Sequence, residues 1–148
     1  MSTILRFAPV AARVLLGLIF TVFGLNFFLH FLPQPPPPSP EAASMLGGLM
    51  NSGYIMQVVK VVEVSAGLLL LANFFVPLAL ALLAPIIVNI VAVHLLVVPS
   101  GLPIALGVLA LELYLAWSYR AAFAPMLRAK TEPARAPATA NAELSHAA

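Results

Sequence analysis

In the stretch MQVVKVVEVSAGLLLL (56–71), Lys60 and Glu63 stand three residues apart in sequence otherwise suited to hydrocarbon. A second intramembrane carboxyl, Glu112, interrupts the apolar run LPIALGVLALELYLAW (102–117), and Asn26, His30, Gln57, Asn89 and His94 sit in similar surroundings. Ionisable groups are costly in lipid and commonly mark proton paths or ligand sites. Glu112, Lys60 and Glu63 are therefore candidate proton-carrying or ligand-binding groups. Asn26, His30, Gln57, Asn89 and His94 are candidate lining of the same pocket. A structural reading stands beside this one: intramembrane Asn, Gln and His also hydrogen-bond one helix to another, and Lys60 can satisfy Glu63 on its own helix at i,i+3.

Composition fixes the solvent these groups meet. The chain has 148 residues, 62% hydrophobic and 8% charged, with a mean hydropathy of +1.05. Soluble domains carry about 25% charged residues, so lipid must cover much of this surface. Cysteine is absent, which excludes disulfides, thiolate metal sites, iron–sulfur clusters and thiol–disulfide exchange by this chain. No metal-ligand set is expected. The net charge of +2 is too small and scattered to hold nucleic acid.

Four apolar stretches reach membrane length, at about 14–32, 54–76, 78–98 and 102–123, each near the ~20 residues that cross a bilayer as helix. The first exceeds the ~7–15 apolar residues of a signal peptide and ends in proline, so it is expected to be retained. Arg6 and Arg13 precede it, and Arg120, Arg128, Lys130 and Arg135 end or follow the fourth. Neither the 1–2 nor the 3–4 connection holds Lys or Arg. By the positive-inside rule both termini are cytoplasmic. The expected fold is all-α: an integral membrane four-helix bundle over 1–128, with an exoplasmic Pro-rich loop at 33–53 and a disordered cytoplasmic tail at 129–148. Within the loop, QPPPPSP (34–40) reads as a stiff polyproline-type spacer. Gly17, Gly24, Gly67 and Gly107 read as close-packing positions, and Pro85 as a kink.

With that orientation, a rise of 1.5 Å per residue places Gln57, Lys60 and Glu63 roughly 5, 9 and 14 Å below the outer surface. Asn26, His30 and His94 fall in the outer half, and Asn89 and Glu112 near the middle. Positions 57, 60, 63 and 67 share roughly a 120° sector of one helix. The polar stripes are thus expected to face one another in a chamber near the outer leaflet. Glu112, left over once Lys60 meets Glu63, is expected to be protonated, paired with Lys60 across the bundle, or bonded to a histidine.

The stretches RVLLGLIFTVFGLN (13–26), VKVVEVSAGLLLL (59–71) and NIVAVH (89–94), followed by the Glu112 helix, resemble the DoxX family of small bacterial membrane proteins. The resemblance covers most of 7–128. It implies four transmembrane helices in the bacterial inner membrane. It also implies an association with thiosulfate:quinone oxidoreductase and quinol oxidase complexes, with thiol-stress resistance, or with chaperoning of receptor assembly. Many relatives carry Lys after the Gly-Leu-Asn stretch, where this chain has Phe27.

Two functions compete. As a small subunit of a quinone-linked redox system, the chain would use His30, Lys60, Glu63, His94 and Glu112 as hydrogen-bond donors and proton carriers around a quinone. As a non-enzymatic assembly or chaperone-type accessory, it would use the same groups to hold its helices together while engaging a membrane protein partner or a second copy of itself. The residues leave enzyme status open. A third arrangement, haem between His30 and His94, follows from their similar depth on different helices.

Overall fold

Backbone placed in hydrocarbon must satisfy its own N–H and C=O groups, and in this chain helices do so. The computed structural model describes residues 2–33 and 39–133. Among these residues the protein is all-helical, without strands. Residues 34–38 of the expected proline spacer and 134–148 of the expected tail lie outside the described residues.

Helix α1 spans Ser2–Leu29 and passes through Pro9. Helices α3 (Ile55–Ala72), α4 (Val76–Leu96) and α5 (Leu102–Ser118) follow. Among the described residues four segments are long and apolar enough to cross a membrane: Phe7–Leu29, Ile55–Ala72, Val76–Leu96 and Pro99–Ser118. Their outward faces carry large apolar side chains, Leu96 79% and Ile104 75% exposed among them, which lipid rather than water suits.

The boundaries differ from the hydropathic reading in instructive ways. The first helix begins twelve residues before the expected position 14, so Arg13 lies inside it rather than before it. That charge is tolerated because it is buried and bonded, as described below. The second span ends at Ala72, where Asn73 adopts a left-handed φ of 59° and the Phe74 N–H donates to the Leu69 carbonyl at 3.0 Å. This is a Schellman-type stop. Val76 and Pro77 then open α4, which continues through Pro85 unbroken. The fourth span ends at Ser118, and a short helix α6 (Arg120–Phe123) and a 3₁₀ turn (Ala124–Leu127) follow.

The segment expected as a loop at 33–53 contains a helix, α2 (Pro40–Asn51). Its start follows ordinary capping chemistry. The Ser39 hydroxyl accepts from the Ala42 N–H at 3.1 Å, and Pro40 occupies the first turn. Glu41, in the same turn, has its carboxyl held below the ordinary value by a backbone hydrogen bond and by Ser39. At the far end the Ser52 hydroxyl donates to the Leu49 carbonyl at 2.6 Å and accepts from the Ile55 N–H at 3.2 Å. Gly53, at φ 77°, supplies the left-handed residue that turns the chain into α3.

Helix α1 packs along α3 and against α5, α3 against α4, and α4 against α5, while α2 rests on α3. The core joins Leu16 and Phe20 of α1, Ala66 and Leu70 of α3, Leu80, Leu83 and Ile87 of α4, and Val108 and Leu115 of α5. Helices α1 and α3 approach closely at their glycines. A Cβ on Gly67 would lie 2.5 Å from Thr21 Oγ1 and 2.8 Å from the Thr21 nitrogen, and one on Gly24 would lie 2.6 Å from Val64 Cγ2. Small residues let membrane helices gain dispersion contacts that bulkier ones forbid. Gly17 and Gly67 face each other here, whereas a Cβ on Gly107 would meet nothing within 4 Å. The expected close-packing role therefore fails at Gly107, which sits on an exposed face of α5.

Candidate functional site

The opening two turns of α3 build the site. Residues 60 and 63 lie on neighbouring turns of one face, so the Lys60 ammonium reaches the Glu63 carboxylate within the helix. The separation is 2.7 Å, with the lysine side chain 19% and the glutamate side chain 4% exposed. Glu63 is further enclosed by α1, since Gly24 lies against its Cβ side. A larger Gly24 would push α1 off this part of α3.

Two cavities adjoin the pair. The larger, about 710 Å³, lies among the end of α1, α2 and the start of α3. Phe23, Phe27, Leu46, Met50 and Met56 form its apolar walls, and Asn26, His30 and Lys60 supply its polar groups. The smaller, about 310 Å³, lies among α2, α3 and α4, with Lys60, Glu63, Asn89 and His94 as its polar lining. Leu46, Met56 and Lys60 border both. The cation is thus presented to both spaces and the carboxylate to the smaller one. An ammonium has three donors, and one is spent on Glu63.

The remaining sequence-derived residues divide. Asn26 is buried, and its Oδ1 accepts from the Leu32 N–H at 2.6 Å. It therefore caps the chain leaving α1 as well as lining the larger cavity. His30, exposed and at φ 52°, ends α1 in the left-handed conformation, its N–H donating to the Asn26 carbonyl at 2.9 Å. His94 Nδ1 lies 2.7 Å from the Ile90 carbonyl, which can only accept, so Nδ1 is the donor. Its ring edge abuts Gly101, where a side chain would collide with it. His30 and His94 line different cavities, so the arrangement does not present them as an axial pair to one haem. Gln57, in the first turn of α3, is exposed and borders neither cavity.

Glu112 stands apart. It is 5% exposed and lines neither cavity, and its Oε2 is enclosed without a hydrogen-bond partner. Of the fates expected for it, pairing with Lys60 or with a histidine is not found among the described residues. The chamber uniting Lys60, Glu63 and Glu112 is replaced by two cavities around Lys60 and a separate buried acid.

Sequence reasoning missed three contributors. Arg13, 8% exposed, donates through Nη1 to the Leu70 carbonyl and, at 3.4 Å, to that of Leu71. A cation on the last carbonyls of α3 suits both their lone pairs and the helix dipole. Helix α2 supplies one wall of both cavities, and its signal, Ser39-Pro40-Glu41, is present in the sequence. Thr21 is buried at the α1–α3 crossing with its hydroxyl unpartnered; the spacing Gly17, Thr21, Gly24 marks that crossing. Compared with known proteins, the chain matches no family model, no curated protein and no solved structure.

Proposed function

We propose that this chain is a DoxX-like multi-pass protein of the bacterial inner membrane, acting as a small subunit or accessory of a quinone-linked redox system. In this reading both termini are cytoplasmic, the cavities open toward the outer leaflet, and a quinone head group occupies the larger one. The carrying observation is the composition of that cavity: aromatic and thioether walls from Phe23, Phe27, Met50 and Met56, with Lys60, Asn26 and His30 as its polar groups. A quinone presents a flat apolar ring and two carbonyl oxygens that accept hydrogen bonds. The unspent Lys60 donors suit one such oxygen, and a cavity of about 710 Å³ falls within the range of small-molecule sites. Lys60 is the proposed ligand group, with Asn26 and His30 beside it in the larger cavity and Glu63, Asn89 and His94 in the adjoining one; Gln57 and Glu112, which border neither, are left out of this site.

The test is saturable binding of short-chain ubiquinone and menaquinone analogues to the purified protein in nanodiscs. Wild type is expected to bind. Lys60→Gln is expected to weaken binding roughly tenfold or more, since a hydrogen bond from a charged donor is worth ~1.5–3 kcal/mol. No saturable binding by folded wild type overturns the quinone reading.

One observation favours the alternative, a non-enzymatic assembly or chaperone-type accessory. Glu63 is satisfied by Lys60, His94 by Ile90, and the Asn26 side chain by Leu32, each through a bond local to its own segment that leaves the group satisfied without a ligand. Under that reading a membrane partner or second copy co-purifies in mild detergent, and quinone analogues do not bind.

A further inference from the structure

We propose that Glu112 is a proton-binding site, carried as the neutral acid inside the helix packing and separate from the Lys60 cavities. The inference does not rest on the quinone reading.

Glu112 occupies the middle of α5 on the face that also buries Ala105, Val108 and Leu115. Those residues lie seven and four positions before it and three after it, so the carboxyl points with them into the interior. Its Oε2 is enclosed and unpartnered. A buried polar group left without a partner in a native structure calls for an explanation. An ionised carboxylate there would need a counterion, and among the described residues no cation is bonded to it. On α1, Arg13 donates to the Leu70 and Leu71 carbonyls, and His30 sits exposed at the helix end, on the larger cavity. On α4, His94 is bonded to Ile90 and its other ring edge abuts Gly101 of the turn before α5. On α3, Lys60 is held by Glu63. An unpaired charge in such a place neutralises rather than persists. The same residue type, equally buried, is therefore present in two chemical states: Glu63 as a paired anion and Glu112 as an acid.

Carbodiimides distinguish these states. The carboxyl proton passes to one carbodiimide nitrogen, and the carboxylate oxygen then forms a bond to the central carbon, giving an O-acylisourea. Away from water and amines, the acyl group moves from oxygen to nitrogen. That yields a stable N-acylurea that retains every atom of both reactants.

The experiment treats the full chain in nanodiscs with dicyclohexylcarbodiimide and maps adducts by peptide mass spectrometry. The expected result is adduct on Glu112, none on Glu63, less labelling as the pH is raised, and complete loss of the adduct in Glu112→Gln. Infrared spectra of the same samples should show the carbonyl stretch of a protonated carboxylic acid, removed by E112Q. Adduct on Glu63 with Glu112 unmodified, or a wild-type spectrum lacking a band that E112Q removes, overturns the proposal. The infrared arm decides the matter even where the reagent fails to reach the site.

Discussion

Lys60 and Glu63 stabilise each other through a contact of 2.7 Å, yet each alone would be a liability in this environment. Lys60→Met is expected to destabilise the protein by ~3–5 kcal/mol, because it strands a buried carboxylate. The double substitution Lys60→Met/Glu63→Met is expected to recover most of that loss, since well-packed apolar residues often replace a buried pair at no net cost. Equilibrium unfolding in detergent measures both, and a double variant as unstable as the single one would show that the pair does more than neutralise itself. This pairing was legible in the sequence because i,i+3 contacts are local to a helix. The fate of Glu112 was not legible: whether a carboxyl finds a partner depends on which helices face it, a tertiary property. Gln57 shares a helical face with Lys60, but it falls in the first turn of α3, where neighbouring helices give no cover.

Helices α1 and α3 touch through small residues, and the chain carries other glycines that look the same in one dimension. Gly67→Ala places a methyl 2.5 Å from Thr21 Oγ1 and 2.8 Å from backbone nitrogen. Relief requires the helices to part, so a loss of ~1–3 kcal/mol is expected, as for other overpacked sites. Gly107→Ala meets nothing within 4 Å and is expected to stabilise α5 by up to about 1 kcal/mol through helix propensity. Thermal unfolding of the two variants side by side tests the opposition in sign. Helix existence could be read from hydropathy, because the cost of unsatisfied backbone in lipid leaves few options. Helix ends could not. A hydropathic boundary stops at a charge, and α1 runs past Arg13 because that charge finds carbonyls on another helix. Helix α2 was overlooked for a related reason: its neighbours in sequence are prolines, while its signals are the short Ser39 cap and an apolar side, Met45, Leu46 and Leu49, toward α3 and α4.

For the whole molecule, four membrane-length helices and a shorter one resting on α3 make the position of α2 the most direct readout of topology. The native chain lacks cysteine, so single introduced cysteines report without background. In intact spheroplasts Ser44→Cys, on α2, is expected to react with a membrane-impermeant maleimide. Ala129→Cys, after the last helical turn, is expected to react only once the cells are lysed. The reverse pattern would invert the proposed orientation and place both cavities toward the cytoplasm.

The buried arginine near the start of α1 also sets an order of events during synthesis. Its acceptors, the carbonyls of Leu70 and Leu71, belong to residues translated long after it. A nascent chain ending before them carries a guanidinium with no acceptor in its leading apolar segment, and such a group reaches back to the headgroups. Pairing of the first two spans is therefore what supplies the Arg13 guanidinium with its acceptors.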